Sequence, residues 1–167
     1  ANSMFYGTGY DGIAMEQFND VTIRNNKFFN NQGAGIHGEA TKAIIEHNTV
    51  RNSRTGITFD DLSEVTLQNN LIENVRDEGI HLYFNSIGTL VSNKVRNNGV
   101  GINSYGSRLT ISNSDIYDNT RNLVLYTMQQ VDIRRNWWGS TDPVTIKGNI
   151  ESDVDVVIEP FLVEEKV

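Results

Sequence analysis

Apolar and polar residues alternate in short stretches of this chain, and the stretches recur at a nearly constant spacing. One type is an apolar triplet, repeated about every 22 residues, with starts at Val21, Ala43, Val65, Gly88, Leu109 and Val131. The other type begins with a glycine–isoleucine pair or a related pair, at Gly12-Ile13, Gly35-Ile36, Gly56-Ile57, Gly79-Ile80, Gly101-Ile102 and Asn122-Leu123. Self-similarity over six units at such a period is typical of solenoid proteins.

Within a unit the apolar residues fall at every second position, as in Ile13 and Met15 or Val21 and Ile23. This is the period of a strand rather than of a helix. A strand of about four residues cannot bury its apolar side alone, so each must pair in parallel with its equivalent in the next unit. The pattern therefore predicts an all-β parallel solenoid of about six 22-residue coils.

Asparagines mark two turns in each unit. The first column consists of Asn26, Asn48, Asn70, Asn93, Ser114 and Asn136. The second consists of Asn30, Asn52, Asn74, Asn97 and Asp118. Asparagine tolerates a positive φ, and stacked amides at strand spacing can hydrogen-bond along the column. Both columns are therefore predicted to be turn-holding ladders rather than catalytic groups.

We predict a single domain over residues 1–167, with an incomplete first coil or N-terminal edge at 1–11, six coils at 12–136 and a C-terminal cap at 137–167. An open solenoid end exposes strand edges and core, and a cap would cover them. The residues predicted to cover the last coil are Trp137, Trp138, Ile158, Phe161 and Leu162. No comparable segment precedes Gly12, so further β-helix coils or another subunit are expected at that edge.

Composition narrows the classes of partner. The net charge of -7 argues against nucleic acid, because a phosphate backbone requires a basic surface. The 167 residues contain no apolar run long enough to cross a membrane. The absence of cysteine excludes disulfides, thiolate catalysis and Cys-ligated metals.

The repeated units resemble those of a known superfamily. The stretch Ile23-Arg24-Asn25-Asn26-Lys27-Phe28 with Gly35-Ile36, repeated to Arg135, is similar to right-handed parallel β-helix proteins of the pectate-lyase-like superfamily. It resembles especially the repeat modules of carbohydrate-binding proteins, sugar hydrolases and NosD-like periplasmic proteins. The resemblance implies a right-handed helix and an extracellular, cell-envelope or periplasmic location. It implies no single activity, because the superfamily includes lyases, hydrolases, epimerases and binding modules.

Alternation predicts which residues of the glycine-led strands point outward. One outward column is Ala14, His37, Thr58, His81, Asn103 and Val124. The adjacent column is Glu16, Glu39, Asp60, Tyr83, Tyr105 and Tyr126. The two columns form a face that is acidic at one end and lined with tyrosine at the other, and any function is expected there.

The acidic end allows three interpretations. Glu16, Glu39 and Asp60 come from consecutive coils, and Asp61 lies beside the last. A solvated acidic surface is the commonest meaning of such a charge run. Alternatively the three carboxylates bind calcium, which prefers several oxygen ligands, or two carboxyls act as acid and base on a glycosidic bond.

The two histidines lie two coils apart, which is about 9.6 Å at strand spacing and too far for both to bind one zinc ion. As catalysts, His37 or His81 would remove a proton next to a uronate carboxylate while Tyr83 or Tyr105 donates to the leaving oxygen. Asp60 and Asp61 are the remaining catalytic candidates. The alternative is that all of these are ordinary polar surface residues.

The tyrosines favour sugar binding, because stacked aromatic faces with polar tips suit sugar rings. The predicted binding residues are Tyr83, Tyr105, Tyr126, Asn103, His81 and His37. The alternative is an aromatic ladder that only stabilises the sheet.

We therefore predict a carbohydrate-binding or envelope scaffold module, non-catalytic, whose partner is a polysaccharide or cell-surface glycan. A polysaccharide lyase, glycoside hydrolase or uronate epimerase acting in the same groove is the alternative. A third hypothesis, ice binding, rests on the outward column Thr22, Ile44, Thr66, Thr89, Thr110 and Asp132.

Overall fold

The structure is a computed structural model that describes residues 2–17, 20–127 and 131–166. The first and last residues of the predicted domain, Ala1 and Val167, lie outside this range. Each coil contributes one strand to each of three parallel sheets, named A, B and C here. The strands are numbered in chain order.

Sheet A contains β1 (Met4–Tyr6), β4 (Lys27–Phe29), β7 (Thr49–Arg51), β10 (Leu71–Glu73), β13 (Lys94–Arg96) and β16 (Asp115–Tyr117). Sheet B contains β2 (Ile13–Glu16), β5 (Ala34–Glu39), β8 (Thr55–Asp60), β11 (Glu78–Tyr83), β14 (Val100–Tyr105), β17 (Arg121–Tyr126) and β19 (Ile150–Ser152). Sheet C contains β3 (Val21–Arg24), β6 (Lys42–Glu46), β9 (Glu64–Gln68), β12 (Ile87–Val91) and β15 (Arg108–Ser112). A separate pair joins β18 (Val131–Asp132) to β20 (Val156–Val157).

Equivalent residues of successive coils lie directly beside one another. Ile36 pairs with Ile57, and Ile57 with Ile80, in the parallel register of sheet B. All three isoleucines are fully buried in the core between the sheets. The predicted all-β solenoid with a 22-residue spacing is therefore confirmed.

The turns confirm the first asparagine ladder. Asn48 accepts the backbone N–H of Asn26 at 3.0 Å, and Asn70 accepts that of Asn48 at 3.0 Å. The side-chain amide of Asn70 also donates to the carbonyl of Ile45, at 2.8 Å. These residues are buried, so the ladder satisfies polar groups inside the turns.

The second asparagine column differs from its prediction. Its members, from Asn30 to Asp118, are exposed and occupy positive φ, as Asn74 does at 56°. The hydrogen-bonding side chains of this turn come one residue later, where Asn98 accepts the N–H of Val75 at 3.0 Å. The left-handed residue turns its side chain to solvent, and the next residue turns inward.

The C-terminal segment packs against the last coil. It contains the helix α1 (Pro143–Gly148), which begins after the N-cap Asp142. Trp138, Ile146 and Ile158 are buried and belong to the same apolar core as the coils. Within the described residues, no helix is long and apolar enough to span a membrane.

Candidate functional site

The predicted outward columns both lie on the outer face of sheet B. In one column His81 pairs with Asn103, and in the other Glu39 pairs with Asp60. The residues that alternate with them, such as Leu82 and Phe59, are fully buried. We call this outer surface the B face, and it contains the candidate catalytic, sugar-binding and calcium-binding residues except Asp61, which follows in the adjoining turn. The column from Thr22 to Thr110, named for ice binding, lies on sheet C instead.

The tyrosines form a continuous column across three coils. The rings of Tyr83 and Tyr105 are stacked, with centroids 5.3 Å apart, and those of Tyr105 and Tyr126 are 6.1 Å apart and tilted. Tyr105 is 49% exposed and Tyr126 is 38% exposed, so their rings are open to a ligand. Phe84 packs edge-on against Tyr83 with a centroid distance of 4.1 Å.

A cleft borders the tyrosine column where sheet B turns into sheet C. Its volume is about 710 Å³, within the range of small-molecule sites. Its lining includes Tyr105, Tyr126, Gly106, Arg108 and Asp153. The cleft therefore combines aromatic surface, backbone and one charged group of each sign.

Three consecutive coils meet at His37. Asp11, just before β2, accepts the backbone N–H of Ala34 at 2.6 Å, and its other oxygen lies 3.2 Å from His37 Nδ1. On the other side, Asp60 Oδ2 lies 3.5 Å from His37 Nε2. The imidazole thus lies between two carboxylates, with Asp11 at hydrogen-bonding distance from Nδ1, while Nε2 makes no hydrogen bond.

His81 is in a different environment from His37. Burial lowers the pKa of His81 below its usual 6.5, although the charges of Glu78 and Asp60 act in the opposite direction. Its ring packs edge-on against Tyr83 with a centroid distance of 5.0 Å, and its Nε2 has no hydrogen-bond partner. His81 is therefore a neutral imidazole at neutral pH.

At the acidic end of the B face, neighbouring carboxylates repel one another. Partial burial, together with the charges of Glu16, Asp60 and Asp61, raises the pKa of Glu39. Among residues 2–17, 20–127 and 131–166, no group of three His, Cys, Asp or Glu is placed to hold a metal ion. Calcium binding by Glu16, Glu39 and Asp60 stays a prediction.

The register and the sequence together decide the family. The family model described as the right-handed β-helix region matches residues 1–138. The chain belongs to the right-handed β-helix family. Comparison with curated proteins and with solved structures finds no match. Membership in the right-handed β-helix family establishes the fold, and a fold of this kind supports many activities.

Sequence reasoning missed several residues of the B face in this β-helix protein. Glu151 of β19 extends the histidine column beyond Val124 and accepts a hydrogen bond from the Tyr126 hydroxyl. Arg121 lies 3.9 Å from the same carboxylate. No repeat signal marks β19, because this strand follows the helix α1, whereas the other strands of sheet B each follow a strand of sheet A.

Proposed function

We propose that this β-helix protein binds a glycan along the B face, as an extracellular or cell-envelope module. The observation that carries the proposal is the column of Tyr83, Tyr105 and Tyr126 beside the cleft, in which Tyr105 and Tyr126 are exposed. Sugar rings stack on aromatic faces while their hydroxyls bond to polar side chains, and both kinds of group are present. A purely stabilising ladder would have no need of the bordering cleft.

The test is binding to a panel of soluble oligosaccharides, measured by isothermal titration calorimetry. Tyr105→Ala removes the central ring of the column, and we expect the affinity to fall by about tenfold or more. Tyr6→Ala is the matched control, since Tyr6 is 68% exposed on sheet A, away from the B face. Equal affinities of the two variants, or no binding to any oligosaccharide, would refute the proposal.

Glycoside hydrolysis is a second candidate, favoured by the pair of Glu39 and Asp60. The two residues are direct neighbours on adjacent strands. The raised pKa of Glu39 suits a general acid, and Asp60 would be the second carboxyl at the glycosidic bond. Retaining glycosidases use two carboxyls about 5 Å apart.

Elimination and epimerisation of uronates are less well supported. Both reactions need a positive group to neutralise the uronate carboxylate. Within the described strands of sheet B, the only lysine or arginine is Arg121, which donates to the carbonyl of Gly148 at 3.0 Å.

Release of reducing ends by the wild type, and its loss in both Glu39→Gln and Asp60→Asn, would support hydrolysis. Absence of any released product would exclude it.

A further inference from the structure

The charged groups of the B face around the tyrosines are predominantly negative. The carboxylates of its strands are Glu16, Glu39, Asp60, Glu78 and Glu151. Arg121, the single lysine or arginine of these strands within the described residues, is occupied by Glu151 and by Gly148. The cleft does not offset the imbalance, because Arg108 and Asp153 contribute opposite charges. A ligand lying on this face therefore meets a negative potential.

Hydrogen-bonding atoms on the same face lack partners. Asp60 Oδ1 and His81 Nε2 are shielded from solvent and make no hydrogen bond. A carboxylate oxygen accepts hydrogen bonds and never donates one. Because Oδ1 is shielded, a donor from a ligand would reach Asp60 through Oδ2, which lies 3.5 Å from His37 Nε2 on a side chain that is 27% exposed.

Tyr83 lies where the aromatic column meets the carboxylates. It is the residue after Leu82, which pairs with Phe59, so its neighbour in the column is Asp60. Its ring is flanked by those of Phe84 and His81. Aromatic faces attract cations, and a nearby carboxylate adds to this attraction. Tyr83 and Asp60 together form a surface suited to an ammonium group.

Resting on the glycan-binding function proposed above, we infer that the ligand is an amino-sugar polymer with free ammonium groups. An ammonium would donate to Asp60 and lie against the ring of Tyr83, while neighbouring sugar rings stack on Tyr105 and Tyr126. Glu39, on the strand next to Asp60, would hold the following ammonium. A uronate polymer would bring negative charge to the same surface and be repelled.

The test compares three oligosaccharides of equal length by isothermal titration calorimetry. They are oligomers of glucosamine, of N-acetylglucosamine and of galacturonate, at mildly acidic pH and low salt. We expect the glucosamine oligomer to bind about tenfold tighter than the neutral one, as a cation–aromatic contact with a carboxylate would give, and the galacturonate oligomer to bind weakest. Added salt should weaken only the glucosamine complex.

Substitutions of the carboxylates test whether their charge causes the preference for the glucosamine oligomer. Asp60→Asn and Glu39→Gln should each lower the ratio of the affinity for the glucosamine oligomer to the affinity for the N-acetylglucosamine oligomer. Glu64→Gln is the control, because this carboxylate is exposed on sheet C near Lys42. If Asp60→Asn fails to fold, the Glu39→Gln variant, at a half-buried position on the neighbouring strand, still tests the inference.

The possible results distinguish a failure of the amino-sugar inference from a failure of the proposed glycan binding. Equal binding of all three oligomers, or a preference for galacturonate, would overturn the amino-sugar inference while glycan binding stands. A glucosamine preference unchanged in both variants would also overturn it. Binding of none of the three would overturn the inference and count against the proposed function.

Discussion

At the residue scale, His81 differs in its protonation chemistry from the residues at the equivalent position of the neighbouring coils. Its column neighbours Thr58 and Asn103 are uncharged, but burial beneath Tyr83 makes protonation of His81 unfavourable. In the unfolded chain the same imidazole titrates near 6.5. Folding therefore releases a proton from His81 in mildly acidic solution.

This proton release predicts a pH dependence of stability. The folded pKa lies below the unfolded one, so the stabilisation is complete above about 6.5 and is lost as the pH falls through the folded value. The free energy of unfolding should change by at most about 1.4 kcal/mol per pH unit from this group. Denaturant unfolding across this range should show a slope that His81→Asn removes.

Asn103→Ser is the matched control for this measurement. It changes the neighbour of His81 in the register without adding or removing a titratable group. We expect this variant to keep the pH slope of the wild type. A slope that survives in His81→Asn would contradict the assignment to His81.

At the element scale, the first asparagine ladder has one weak rung. Asn70 links three coils, since it bonds to Asn48, to Ile45 and to Asn93. Ser114 accepts the N–H of Asn93 at 3.1 Å, but its hydroxyl donates to Ser112 within its own coil. A serine has no amide to reach the carbonyl of the preceding coil.

We therefore predict opposite effects of two substitutions in this ladder. Asn70→Ala leaves buried polar groups without partners and should lower the free energy of unfolding by about 3 kcal/mol. Ser114→Asn completes the ladder and should raise it by about 1 kcal/mol. Chemical denaturation measures both changes. If Asn70→Ala leaves the free energy of unfolding unchanged, the ladder does not stabilise the fold.

The glycines at the start of five strands of sheet B make a second prediction. A Cβ on Gly79 would lie 2.6 Å from the carbonyl oxygen of Gly101 in the next coil. Gly79→Ala should therefore separate the two coils and lower the unfolding free energy by about 3 kcal/mol. Gly148→Ala is the control, because a Cβ there meets nothing within 4 Å. Equal thermal midpoints of the two variants would contradict this account of the glycines.

At the scale of the whole molecule, stability should vary along the solenoid axis. Each coil contacts only its neighbours, so a central strand such as β8 is held on both sides while β2 ends its sheet. We expect amide hydrogen exchange to be slowest in β8 and β11 and to become faster towards β2 and β3. Uniform protection along the axis would indicate a single cooperative unit instead.

The repeat allowed the parallel solenoid to be predicted, because a period of two decides which residues are buried, but it did not mark β19. It also predicted the B face, including the column from Tyr83 to Tyr126. The turns were less predictable. Two residues with positive φ, Phe84 and Asn85, follow Tyr83, whereas Gly106 alone follows Tyr105 before the buried Ser107.

That difference contributes to the shape of the cleft beside Tyr105. The alternation of apolar residues contains no information on such local backbone geometry, and so the cleft was not predicted. The contact between Asp11 and His37 was missed for the same reason. It joins a residue before one strand to the middle of the next coil's strand, outside the pairing of equivalent positions.

The identical register of all coils has a consequence for the size of the molecule. Duplication or deletion of one 22-residue unit would lengthen or shorten the solenoid by one strand spacing, about 4.8 Å, without disturbing the packing of the others. For the proposed glycan ligand, such a step would add or remove one subsite and leave the chemistry of each remaining subsite unchanged. Selection could therefore adjust the preferred length of a ligand independently of its identity.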